Sequence, residues 1–238
     1  MHEVIERARR ALRSADRDDA AVDVPALLRE LAGAHLTLAF AAGDELTARL
    51  QGFHAADVLE VATSLAHPDG HGTELFLDDA YDTSVLPRAL GPGARATYAT
   101  WLDALHAAMW VGRIENFEAL ASDLRWITSP PSDLGVYARI ALGLVRGEPY
   151  SQLAHTLPDE GFERTEHARW IGAALRVWEA IFDGDRDAIR EGLVAMIELE
   201  PSALVEGVSL GASAMLVHAR RAGLEIAPFD ARLRVPPF

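Results

Sequence analysis

The chain contains no cysteine, which excludes disulfides and thiolate metal sites. It also contains no lysine: all 22 basic residues are arginine. A phosphate-binding loop built on a lysine is therefore excluded. The codon usage of a GC-rich genome is the simplest account of the missing lysine, so no function is read from it. Long apolar runs are missing too. The most apolar stretch, Leu31 to Ala42, adjoins Arg29 and Glu30 and falls well short of the roughly 20 residues that a membrane span needs. Met1 opens an amphipathic, arginine-bearing segment without an apolar signal core, so the chain is expected in the cytoplasm. Strand-like alternation is absent except at Leu224 to Ile226, and no glycine cluster follows a strand in the way a dinucleotide site requires.

What is present is acid. The net charge of −14 argues against a nucleic-acid backbone or an anionic membrane as partner and favours a basic protein. The charge is uneven. Residues 44–82 carry nine acidic groups against Arg49 alone, and residues 150–206 carry twelve against five arginines. A solvated acidic surface is the plain reading of both stretches, and a docking face is the functional one.

Helical spacing dominates the chain. Its clearest expression is Ala168 to Leu199. Trp170, Ile171, Ala174, Leu175, Trp178, Ile181 and Phe182 form one apolar stripe at about 3.6 residues per turn. Gly184 then offers a left-handed helix end, and Asp185 offers a cap for a second helix that buries Ile189, Leu193, Met196 and Ile197. Elsewhere the spacing predicts helices from His2 to Arg13, from Pro25 to Gly43, and from a cap at Asp44 through Leu46, Leu50, Phe53, Val58, Leu59 and Val61 to Leu65. Regularity fades between His67 and Gly93, where ELFLDDAYDTSVL has room for one or two helical turns. It returns with the stripe Tyr98, Trp101, Leu102, Leu105 and Met109, and then with Phe117, Leu120, Leu124 and Ile127. A last helix is expected from Ala203 to Ala222.

Gly43, Gly112, Gly147 and Gly184 each close an apolar helix, and the last three are 35 and 37 residues apart. A period near 34 is that of tetratricopeptide-type hairpins, each of which buries its face against the next. The expected fold is therefore all-α: irregular stacked helical hairpins, solenoid-like, with no sheet of consequence. One domain over residues 1–238 is expected, softly divided into N-terminal helices (1–66), an irregular loop (67–93) and a hairpin array (94–238).

No stretch states a catalytic chemistry. Gly207-Val208-Ser209-Leu210-Gly211 has the form G-x-S-x-G, but a helix precedes it where a hydrolase has a strand. The one histidine that follows, His218, would lie about 13 Å further along the same helix. Small residues for close helix packing explain the motif better. His67, Asp69, His71 and Glu74 resemble a loose metal-ligand set, but they lack any helical His–His spacing. Asp78, Asp79 and Asp82 are candidates for acid–base work or magnesium, or alternatively for partner contact. Asp183, Asp185, Asp187 and Glu191 read as helix caps first and partner contacts second. The five tryptophans fall at helical spacing and read as hairpin core, with Trp110 or Trp126 as candidate self-association points. No catalytic residue, cofactor or metal is assigned.

From about Ala99 to the end, the chain resembles the immunity protein 49 family of bacterial polymorphic-toxin systems. Three stretches carry the likeness: Tyr137 with IALGLVRGE, the pair LRVWEAIFDGDRDAIREGLVAMIEL, and Gly207 followed by AMLVHARRAGLEIAPFDARLRVPP. The resemblance implies a non-enzymatic, all-helical antidote that binds and blocks a cognate toxin, with no cofactor. A helical-repeat adaptor or regulatory module that binds a peptide or host protein is the alternative. An enzyme using the 67–82 loop is a third reading.

Overall fold

A computed structural model describes residues 2–15, 24–65, 73–76, 83–86, 97–113, 117–127, 133–155, 167–200 and 204–236. They form ten helices: α1 (His2–Ala15), α2 (Val24–Ala41), α3 (Glu45–Ser64), α4 (Tyr98–Val111), α5 (Phe117–Trp126), α6 (Asp133–Val145), α7 (Tyr150–Ala154), α8 (Ala168–Asp183), α9 (Arg186–Glu198) and α10 (Leu210–Arg221). The chain is all-α in class, and among the described residues its strands are confined to one hairpin of β1 (Thr73–Phe76) and β2 (Thr83–Leu86). That hairpin corrects the expectation of helical turns in this stretch. Thr73 pairs with Leu86 and Phe76 with Thr83 in antiparallel register, and threonines and Val85 suit extended backbone better than helix. Leu224 to Ile226 is not a strand.

Local chemistry sets the helix ends. Asp44 accepts from the Thr47 N–H at 2.8 Å and opens α3. Thr97 does the same for α4 from the Thr100 N–H at 3.2 Å. Gly112, Gly147 and Gly184 all have positive φ, where only glycine sits without strain. Gly43 does not share that conformation, so it falls outside the repeat. The last helix starts at Leu210 and not at Ala203, because the backbone turns at Gly207 (φ +70°) before Ser209 caps it.

The chain divides into two compact units, Met1–Thr128 with Pro236–Phe238, and Ser129–Val235. The division lies outside the 67–93 stretch, and α4 and α5 belong to the first unit rather than to a C-terminal array. The reason is packing. In the first unit α2 packs on α3, and α3 on α4, where a Cβ at Gly52 would lie 2.5 Å from Val111 Cγ1 and 2.9 Å from Trp110 Cζ3. Nearly every residue of α4 is buried, as expected for a helix apolar on all sides. Trp101 donates its Nε1–H to the Leu120 carbonyl at 2.6 Å. The buried Asp123 carboxylate lies 3.1 Å from Thr63 Oγ1 and 3.2 Å from Ser64 Oγ, which ties α5 to the end of α3.

α3 buries Val58, Leu59 and Val61 as their spacing suggests, but not its first two leucines. Leu46 and Leu50 are 78% and 39% exposed, while Ala48, Gly52, Ala55 and Leu59 are buried. Small side chains let α2 and α4 approach closely there. Four of the tryptophans are buried, including Trp110, and Trp126 is part-exposed at 37%.

In the second unit α8 and α9 form the main pair, and α10 packs against both. Leu210 through Val217 is buried on every side. The C-terminal segment is fastened to α10: Arg232 O accepts from the Ser209 N–H at 3.0 Å, Ser213 Oγ accepts from the Arg234 N–H at 2.9 Å, and Ile226 and Leu233 are buried. No helix among the described residues is long and apolar enough to cross a membrane.

The helix crossing in this unit gives a paired prediction. A Cβ on Gly192 would lie 2.6 Å from Val177 Cγ2, a short β-branched side chain with little freedom to yield, whereas one on Gly172 meets only Arg176 at 3.8 Å. Gly192→Ala should lower stability by about 1–2 kcal/mol, overpacking outweighing the helix-propensity gain. Gly172→Ala should raise it by up to about 1 kcal/mol. Urea unfolding followed by circular dichroism measures both.

Candidate functional site

The same crossing positions the best candidate site. Ala168–Asp183 is helical because its apolar residues recur every third or fourth position and bury Trp170, Ile171, Ala174, Leu175 and Trp178. It stops at Gly184 (φ +73°), whose N–H bonds back to the last turn, as does the Asp185 N–H to Ala180 O at 2.9 Å. Asp185 then caps α9, its Oδ1 accepting from the Asp187 N–H (3.1 Å) and the Ala188 N–H (3.0 Å). A link this short folds α9 back along α8, and Gly192 lets the two backbones close up against Val177.

Beside that contact runs a groove of about 340 Å³. Its floor is small, made of Ala180, Ala188 and Gly192, and its rim is Glu179, Asp183, Asp185 and Glu191, with Arg176 as the one cation in the lining. All four carboxylates are on exposed residues. The lining thus carries four formal negative charges against one positive. Of the residues singled out from the sequence, Asp183, Asp185 and Glu191 are brought together here. Asp187 sits in the first turn of α9 but does not line the groove. Phe182, expected in the core stripe, is 53% exposed, because it lies roughly 100° round the helix from the groove face and at the margin of the buried one.

His67, Asp69, His71, Asp78, Asp79 and Asp82 lie outside the described residues; Glu74 belongs to β1. Among the described residues no group of three or more histidine or acidic side chains is arranged to hold a metal ion.

The G-x-S-x-G serine is a structural joint. Ser209 is 3% exposed, its Oγ accepts from the Ala212 N–H at 3.3 Å to cap α10, and its hydroxyl donates to the Glu200 carboxylate. His218 faces elsewhere, with its ring 4.8 Å from that of Trp178, and burial lowers its pKa. Ser209 and His218 form no catalytic pair.

Two displaced titrations in the first unit escaped the sequence reading. Burial raises the Asp103 carboxyl to about 6, partly offset by Arg29, whose guanidinium lies 3.0 Å away. Burial also pushes His106, one turn along α4, down to about 4. An aspartate and a histidine inside an apolar helix gave no sign of this, since burial comes from α4 being enclosed on all sides. Structural ion pairs displace pKa values as active sites do. The sealing of Asp103 against α2 through Arg29 accounts for the first shift. Glu179 and Arg176 were also missed as groove residues. Their only sequence signal is the spacing Arg176, Glu179, Asp183, one turn apart on a single helix face.

No protein-family model, curated protein or solved structure matches this chain.

Asp103 yields a pH prediction. Its folded pKa lies above the ordinary 3.8, so the folded state holds the proton more tightly than the unfolded state does. Its contribution to stability therefore falls as pH rises from about 4 through about 6 and stays low above that. The stability of Asp103→Asn relative to the parent should rise over that window by an amount on the order of 2 kcal/mol. A flat difference between the two proteins in denaturant titrations at pH 4, 5, 6 and 7 would refute the assignment. Ser209→Ala, which removes a cap and the hydroxyl that donates to Glu200, should cost about 1 kcal/mol in the same measurement.

Proposed function

We propose that this chain is a non-catalytic immunity protein of the antitoxin type, which binds a cognate bacterial toxin in the cytoplasm and blocks it. The observation that carries the reading is the α8–α9 groove: four carboxylates against one guanidinium around a floor of alanine and glycine. Such a groove suits a basic protein surface. Carboxylates at the rim attract it over distance, and small floor residues leave room for the aliphatic stem of an arginine or lysine. Clustered like charge on an exposed face costs folding energy by self-repulsion, a cost that a basic partner would relieve. The net charge of −14 adds long-range steering in the same sense.

The resemblance to the immunity protein 49 family supports this reading from a separate direction, because part of it lies in the same helical pair. Neutralisation then needs no chemistry from this chain, only occupation of the toxin face that meets its target. A helical-repeat adaptor or regulator would use the same groove for a peptide or host protein, and the two readings differ in whether binding rescues a cell.

Glu179, Asp183 and Glu191 test the proposal, since among the described residues none of them caps a helix or makes a buried hydrogen bond. Removing the acid of Asp183 from the negative end of α8 should not harm folding. The triple variant Glu179→Lys, Asp183→Lys, Glu191→Lys should keep its helical circular dichroism. It should bind the product of the adjacent gene with an association rate lower by roughly tenfold or more at low salt. The parent should rescue cells from that product and the variant should rescue them poorly. Full binding and full rescue by the variant would move the interface elsewhere. Binding by the parent without rescue would favour the adaptor reading, and no binding by the parent would end the immunity reading.

A further inference from the structure

We draw no further inference here: the strongest candidate, the exposed apolar stripe of Leu46 and Leu50 along α3, carries nothing because nothing in the structure shows what covers it.

Discussion

The missing side chains at Gly52 and Gly192 are the constraint on which most of the packing depends. At Gly52 a Cβ would collide with Val111 and Trp110, and at Gly192 with Val177. In each place two helices meet closer than two alanines would allow, and neighbouring small residues extend the contact: Ala48 and Ala55 in α3, Ala173 and Ala180 in α8. Dispersion contacts fall off steeply with distance, so a closer crossing strengthens every atom pair along it. Glycine lowers helix propensity at both sites by roughly 1 kcal/mol, and the tighter contact offsets that loss.

Close crossing has an electrostatic consequence on α8 and α9. Folding one helix tightly against the other brings Glu179 and Asp183 of the first beside Glu191 of the second and its cap Asp185. The four sit at the surface, where water moderates their repulsion. Asp185 is partly committed to capping, whereas among the described residues Glu179, Asp183 and Glu191 cap no helix. The fold therefore carries a concentrated negative rim in which, among the described residues, only Asp185 caps a helix. Elsewhere acid is used structurally: Asp123 joins α5 to α3, Glu200 receives the Ser209 hydroxyl, and Asp133 receives the His167 N–H at 3.0 Å.

Much of the helical framework was legible in the sequence because helix ends are local events. Asp44 and Asp185 cap as their positions suggest, and Gly112, Gly147 and Gly184 take the left-handed conformation that ends a helix. The failures have a common origin. Leu46, Leu50 and Phe182 read as core from their size, yet the first turns of α3 bury Ala48 and Gly52 instead and Phe182 lies at the edge of the stripe. The 73–86 stretch read as helical turns, because two four-residue strands become recognisable only when paired. Three of the four groove acids were singled out as a run along the chain, while Glu179 was not, since its membership depends on which face of α8 meets α9.

The sequence by itself determined the helical class, most helix ends and the acidic balance. Each is set by residues within a turn of one another or by simple summation of charge. Tertiary structure alone decided which helix faces are buried, that nearly all of α4 and the Leu210–Val217 part of α10 are buried, that Ser209 is a cap with a carboxylate partner, and that four particular acids share one groove. Those outcomes depend on how closely two helices approach, and that distance is fixed by side-chain volume across the contact, which no single segment carries.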